Sequence, residues 1–367
     1  MADPPITCRL ELSSDSPKIK RKKSPMAKDI SVPDPSIVLD LIEAFRRSKT
    51  MFAAVSLGVF DALNSKPKSL GTLAGELKAN PDALKRLLDG CVGLQLLQKT
   101  AAGDYATTPA AGAFLTSTSP HRFTGYINYS NSVLWKLWAN LEDAIREGTN
   151  RWKQTYGWDG PLFESFFHTP EALREFLMGM HGFGMLSSPV VVNAVDLSQF
   201  RTLIDLGGAT GHLAIAACQR YADLQAIVFD LPAALPLAQE IISASGVANR
   251  VRVVGGNFFE DPLPEGDLIA LGRILHDWTE EKIHRLLQRV YERLPVGGAL
   301  LIAEKLLYED HSGPRAAQMQ SLNMLTCTEG KERTLTEYES LLNKAGFRDV
   351  IGCRTSTVID VVMAWKR

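Results

Sequence analysis

Two stretches of this chain carry side chains able to do chemistry. The first, TLIDLGGATGHLAIAACQRYADLQAIVFD from Thr202 to Asp230, runs as apolar segment, Asp205, glycine turn, apolar helix, second apolar segment and carboxylate. Gly207, Gly208 and Gly211 permit a tight turn where backbone can approach a ligand. A helix opening there offers unpaired N–H groups and partial positive charge. Asp230 stands 19 residues beyond Gly211, the offset of an acid that accepts from ribose hydroxyls. The turn reads G-G-x-x-G behind a carboxylate, not the dinucleotide G-x-G-x-x-G. A carboxylate facing the ligand repels a pyrophosphate but suits an ammonium or a sulfonium, and S-adenosylmethionine carries both. The competing reading is a turn that binds nothing. The strand, helix and acid around it argue against that.

The second stretch is GRILHDWTEEK, which places Arg273, His276, Asp277 and Trp278 at the end of another apolar segment. Ligands of open α/β sheets sit beyond the carboxyl ends of the strands, so these residues face the same crevice as the glycine turn. A histidine there is a candidate general base near neutral pH, against the alternative of a structural histidine. Trp278 either packs on a flat ring or covers the sheet. Downstream come Glu304, then Asn323 and Met324 on an amphipathic helix, then Glu329 and Glu332 in a loop. A carboxylate on a histidine Nδ1–H fixes the tautomer and raises basicity. For Glu332 the alternative is an ion pair with its neighbour Arg333.

The elements needed to position these groups are legible. Strands are expected near 202–207, 226–231, 251–256, 268–273, 299–304, 347–353 and 358–365, with helices over 211–221, 232–244, 279–294 and 334–345. The alternation predicts an α/β fold, a doubly wound and mostly parallel Rossmann-like sheet, with a closing hairpin that makes the last strand antiparallel. Upstream, one long helix is predicted from Ser36 to Leu63 behind Asp34 and Pro35, apolar on more than one face. Short helices from Ser69 and Asn80 and a hairpin around Gln98–Lys99 and Tyr105–Ala106 suggest a winged-helix module. It serves either dimerisation or DNA binding. Dimerisation is favoured because Lys85 and Arg86 are interleaved with leucines and offset by Asp82 and Asp89. The expected domains are a basic disordered tail (1–33), a winged-helix-like dimerisation domain (34–118), a helical connector lining the substrate pocket (119–196) and a cofactor-binding catalytic domain (197–367). The connector is rich in aromatics, among them Tyr126, Tyr129, Trp135, Trp138, Phe163, Phe166, Phe167, Phe176 and Phe183. Some of these are expected to wall an apolar slot for a planar substrate.

Composition narrows the class. A net charge of −1 gives no general attraction to nucleic acid or membrane. The five cysteines are odd in number and lack C-x-x-C spacing, which fits a reducing cytoplasm with neither a disulfide framework nor a cysteine-based zinc site. No apolar run approaches the ~18 residues of a membrane span. The run IKRKKSP in the tail reads as a nuclear address, an anionic docking patch or a solvated leader.

DLGGATG, VFDLP, GGNFFEDPLPEGD, ILHDW, SLNML, TEGKERT and AGFRD, in this order and spacing, resemble the S-adenosylmethionine-dependent O-methyltransferases. The likeness is to the acetylserotonin (hydroxyindole) O-methyltransferase branch and its relatives, over residues 34 to 367. SLGVFDAL resembles that family's dimerisation domain. The resemblance implies a homodimer, no metal, and S-adenosylmethionine bound by Asp205, Gly207, Gly208, Gly211, Asp230, Leu231, Gly256, Asn257, Phe258 and Arg273. It implies His276 as catalytic base, flanked by Glu332 and by Glu304 or Asp277. Asn323, Cys327, Trp278, Trp135 and Met324 fall at substrate positions. The implied reaction methylates a hydroxyl of an aromatic small molecule, a hydroxyindole or phenol, by in-line transfer that leaves S-adenosylhomocysteine.

Three positions depart from the branch. Asn257 stands where the family has a carboxylate, Cys327 where it has a substrate-facing glutamine. Phe167 and Gly184 replace a tyrosine and a tryptophan over the cofactor, which predicts a roomier site. These departures sustain two rival readings, a non-catalytic cofactor-binding dimeric scaffold and a winged-helix regulator.

Overall fold

The computed structural model describes residues 32–160 and 169–367. The expected tail lies outside them up to residue 31, as do Phe163, Phe166 and Phe167. The chain divides into a unit ending at Phe45 and a unit beginning at Arg46. Among the described residues, the first unit holds the opening turns of helix α1 (Ser36–Ser56), where the Ser36 N–H donates to Asp34 Oδ1 at 3.1 Å. Ile37, Val38, Leu39, Leu41, Ile42 and Phe45 are all exposed there.

In the second unit α1 stops short of the expected Leu63. Gly58 takes φ +75°, a left-handed conformation that ends a right-handed helix, and a single turn over Val59–Ala62 follows. Helices α2 (Leu70–Glu76) and α3 (Pro81–Gly93) are capped by the Ser69 and Asn80 side chains. Strands β1 (Leu97–Lys99) and β2 (Tyr105–Thr107) form the antiparallel hairpin, and Lys68 bridges to Tyr105. Phe60, Leu73, Leu84, Leu88, Cys91 and Leu97 form the core of this module.

The connector contains α4 (Thr124–Tyr129), a π-helical turn over Ser130–Leu134, α5 (Trp135–Trp138) and the long α6 (Pro170–Ala194). The sheet then follows as read from the sequence, to within two residues at each strand end. Its strands are β3 (Thr202–Leu206), β4 (Gln225–Asp230), β5 (Val251–Gly255), β6 (Leu268–Gly272), β7 (Ala299–Glu304), β8 (Arg348–Cys353) and β9 (Asp360–Trp365), in the spatial order β5-β4-β3-β6-β7-β9-β8. The first five strands are parallel, and β9 is antiparallel to both β7 and β8. The crossover helices are α7 (His212–Arg220), α8 (Leu235–Ser243) and α9 (Glu280–Arg293), and α10 (Arg315–Cys327) and α11 (Leu335–Lys344) follow β7. Both faces of the sheet are covered by apolar clusters, the arrangement that a buried parallel sheet requires. Strand order reverses between β3 and β6, so the crevice opens at their carboxyl ends.

Candidate active site

A cavity of about 560 Å³ occupies that crevice. Gly207, Asp230, Leu231, Gly256, Asn257, Phe258, Arg273, His276, Asp277, Trp278, Asn323, Met324 and Cys327 all line it. Asp205, Gly208, Gly211, Glu304, Glu332 and Trp135 do not.

Behind the glycine turn, Asp205 is buried and its Oδ2 accepts the Ala214 N–H at 3.3 Å. It therefore braces the first turn of α7 from beneath and does not face the ligand. A Cβ on Gly208 would lie 2.6 Å from the Asp205 carboxyl carbon. Gly211 takes φ +75° and packs against Val228 and Ile242. Burial pushes the Asp205 carboxyl up to about 7, helped by the nearby Asp230 carboxylate. Asp230 uses one oxygen for the Ala209 N–H (2.7 Å) and the other for the Leu231 N–H (2.6 Å). A carboxylate has about four acceptor sites, so capacity remains for a pair of ribose hydroxyls, and the nucleoside fits this half of the cavity. Asn257 Oδ1 accepts the Phe259 N–H at 3.0 Å, and its own N–H donates to Asp261. Asp261 was not singled out in the sequence; it holds the turn on which Asn257 and Phe258 stand.

The space beside Gly184 is not left roomy. A Cβ there would sit 2.3 Å from the His212 ring, so the imidazole lies directly on this glycine. The first residue of α7 thus fills room that the missing indole was expected to leave.

At the end of β6 the backbone bends sharply: Arg273 takes φ +58°, costly for a residue with a Cβ. A single 3-10 turn over Leu275–Asp277 follows. Glu304, at the end of β7, is wholly buried. Its Oε1 accepts the N–H groups of Ile274 (3.0 Å), Leu275 (2.7 Å) and His276 (3.2 Å), and its Oε2 accepts the Tyr338 hydroxyl. It acts on the turn that carries His276. Successive N–H groups of such a turn form an anion-binding concavity, here filled by the protein's own carboxylate.

The His276 ring is buried and its Nδ1 bonds Glu332 Oε1 at 2.6 Å. Glu332 makes no ion pair with Arg333, whose guanidinium donates to the Lys331 carbonyl at 3.0 Å. Gly330 makes the arrangement possible: a Cβ on it would lie 2.4 Å from the His276 carbonyl oxygen and 2.8 Å from Trp278 backbone. The Glu329 N–H also donates to the Asp277 carbonyl at 3.0 Å, lacing the loop to the turn. Burial opposes charging the imidazole, but the carboxylates of Glu332, Asp277 and Glu304 outweigh it and push His276 up to about 10. Burial raises the Asp277 carboxyl to about 7, and its Oδ1 lies 3.8 Å from His276 Nε2, beyond hydrogen-bond reach.

The sequence showed no metal-ligand cluster, yet folding brings His276, Glu304 and Glu332 donor atoms within 4.8 Å of one another. Glu304 spends both oxygens on backbone N–H groups and Tyr338, and Glu332 Oε1 is spent on His276. The chemistry is that of a positioning network, not a coordination shell.

On the opposite wall, Tyr126, Tyr129 and Phe176 line the cavity with Met324 and Cys327. Tyr129 meets Phe176 edge-on at 5.3 Å. Asn323 Oδ1 accepts the Trp138 indole N–H at 2.9 Å, which turns its amide NH₂ into the available donor. Trp135 is held elsewhere, edge-on to Phe52 at 6.2 Å with the Lys49 ammonium over its ring. Burial pushes the Cys327 thiol well above its usual range, so it stays protonated and unreactive. Trp278 meets Phe259 edge-on at 5.0 Å and carries the Lys282 ammonium over its face.

A doubly wound sheet with a nucleoside half-site at its switch point and a carboxylate-held histidine one strand away is the framework of an S-adenosylmethionine-dependent methyltransferase. Comparison with known proteins narrows the class: residues 138–348 match the O-methyltransferase domain and residues 39–117 the O-methyltransferase dimerisation domain. The chain belongs to the O-methyltransferase family. It is 38% identical to acetylserotonin O-methyltransferase of Bos taurus, over 90% of this chain and 97% of that one. It is 40% identical, over 91% of its length, to a probable bifunctional dTTP/UTP pyrophosphatase/methyltransferase protein of Homo sapiens, and spans about half, 54%, of that protein. The structure of human N-acetylserotonin methyltransferase in complex with SAM superposes with a TM-score of 0.86 at 36% identity, covering 92% of this chain and 99% of that one.

Proposed function

We propose that this protein methylates a hydroxyl of an aromatic small molecule, a hydroxyindole or a phenol, with His276 as general base. The observation that carries the reading is the 2.6 Å His276–Glu332 contact at the wall of the cavity that Asp230 also lines. Glu332 accepts from Nδ1–H and so leaves Nε2 as the basic nitrogen. Glu304 is a positioning residue, since it holds the His276 turn and not the ring. S-adenosylmethionine, when bound by Asp230, Leu231, Gly256, Asn257, Phe258 and Arg273, supplies an electrophilic methyl on a sulfonium. Bracing by Asp205, Gly208 and Gly211 shapes the turn from behind. The acceptor hydroxyl, with a pKa near ~10 for a phenol, loses its proton to Nε2. Asn323, Met324, Trp278 and the aromatic wall orient the ring, and orientation supplies the larger share of the acceleration. His276→Ala should leave S-adenosylhomocysteine affinity within about twofold and lower turnover by ~10²-fold or more. Unchanged turnover on a verified acceptor would remove His276 from the role of base.

The helix-rich N-terminal module is proposed as a winged-helix-like dimerisation unit, with the exposed apolar residues of α1 as the homodimer surface. A nucleic-acid role is opposed by the pairing of Lys85 with Asp89 and of Arg86 with Asp82, each at 2.6 Å, which leaves α3 without a net basic footprint. Among the described residues no helix is long and apolar enough to cross a membrane, and Cys91, Cys218, Cys327 and Cys353 are unpaired. The unpaired thiols support a cytoplasmic site of action.

A further inference from the structure

One polar cluster beside the cavity takes no part in the proton transfer. Three residues on one face of α6, His181, Gly184 and Ser188, embrace the entry to α7. His181 Nδ1 bonds Thr210 Oγ1 at 2.9 Å, Ser188 Oγ bonds His212 Nδ1 at 2.8 Å, and Gly184 lies under the His212 ring. His212 thereby joins Gly207, Ala209 and Arg273 in lining the cavity.

The chemistry available there is specific. His212 is the first residue of a nine-residue helix, where unpaired N–H groups favour an anion. Arg273, held at φ +58°, brings a guanidinium to the same cavity and stacks it 5.2 Å from the Phe183 ring. Burial, with the cationic character of His181 and Arg273 behind it, pushes His212 down to about 3, so its imidazole is neutral at physiological pH. A neutral imidazole whose Nδ1 accepts the Ser188 hydroxyl proton carries its own proton on Nε2. It is then a donor and adds no charge.

We propose that His212, seated on Gly184 and oriented by Ser188, is a specificity-determining residue for the amino-acid end of the cofactor, donating to its carboxylate together with Arg273. This rests on the reading of the cavity as an S-adenosylmethionine site. The proposal separates the two ends of that molecule: Asp230 answers for the nucleoside, His212 for the amino-acid tail. Gly184 is required because any Cβ at that position displaces the ring.

Calorimetry on the full chain with two probes tests this. S-adenosylhomocysteine carries the amino-acid tail, and 5′-methylthioadenosine keeps the nucleoside and thioether without it. His212→Ala should weaken S-adenosylhomocysteine binding by ~10- to 100-fold, the range for a lost hydrogen bond to a charged group. It should leave methylthioadenosine affinity unchanged. His212→Asn, which keeps a donor, should recover part of the loss. Gly184→Ala should reproduce the His212→Ala pattern, and the double variant should be no worse than His212→Ala alone. Equal weakening toward both probes, or toward neither, would overturn the proposal, leaving His212 as helix packing. Wild-type protein that binds neither probe would overturn the cofactor reading itself.

Discussion

Glu332→Gln isolates the electrostatic role of one carboxylate with almost no change of shape. His276 is raised from 6.5 to about 10 by three carboxylates acting against burial, with Glu332 the foremost of them and in direct contact at 2.6 Å. A partner charge at that distance moves a titration midpoint by ~1–3 units, so the amide should bring the imidazole back toward or below its ordinary value. The sign follows directly. A base must be unprotonated to act, so the acid limb of the wild-type profile of kcat/KM lies on the alkaline side of neutrality. In the variant that limb should move to lower pH by ~1–3 units. The plateau should fall at the same time, because a weaker base drives proton removal from a phenol of pKa ~10 less well; with half the basicity expressed in the transition state, the loss is ~10- to 50-fold. The two effects oppose each other near pH 7, so a single-pH rate does not test the idea. The measurement is the full pH profile from 5.5 to 10.5, flagged here as a range of about five units spanning both midpoints, with S-adenosylhomocysteine affinity as a control. An acid limb that stays in place while the plateau falls would refute the electrostatic argument and reduce Glu332 to a steric support.

Gly330→Ala puts a methyl against the rigid His276 carbonyl; a stability loss of ~1–3 kcal/mol by denaturant titration and a fall in kcat are expected, and a silent variant would show that the loop does not set Glu332. Asp205 is raised from 3.8 to about 7 by burial, so its contribution to stability is fully present below pH ~4 and is lost as pH rises to ~7. Asp205→Asn keeps an acceptor for Ala214 and removes the charge, so the variant should gain at most ~4 kcal/mol relative to wild type between pH 4 and 8, read by urea unfolding of cofactor-free protein. His181 and His212, lowered to about 4 and about 3 by burial, act in the opposite direction in both proteins and cancel in the comparison. Trp138→Phe frees the Asn323 carbonyl and should raise KM for the acceptor by ~3- to 10-fold with kcat nearly unchanged; a selective loss of kcat would contradict a role in orientation.

The sheet was legible because β3 to β7 are apolar runs separated by helical periods, and the switch point follows from their order. His276 was legible for the same reason, since the end of a strand beside the glycine turn is a fixed place in this topology. Its partner was harder to assign: whether Glu332 meets His276 or Arg333 depends on Gly330, whose missing Cβ matters only against a turn 54 residues earlier in the chain (276 to 330). The choice between Trp135 and Trp138 failed on phase. The π-helical turn over Ser130–Leu134 shifts the rotation of everything after it, so a 3.6-residue period carried through the connector picks the wrong indole. Gly184 and His212 complement each other across two helices. Neither residue alone indicates whether the space is empty or filled.

The position of β9 carries a consequence for how the protein is made. It follows every other strand in the sequence, yet it lies between β7 and β8, with Asp360 opposite Glu304. During synthesis β7 therefore waits as an open edge, its backbone groups on that side unpaired, until residues 360–365 have left the ribosome and threaded in beside it. That edge is a template for pairing with other chains. Asp360, wholly buried, then takes the Leu306 N–H and the Lys305 ammonium just past the end of β7. The strand that carries Glu304 is fixed only at this last step. A nascent chain stalled before β9 would hold every residue of the His276 cluster and still lack a finished catalytic base.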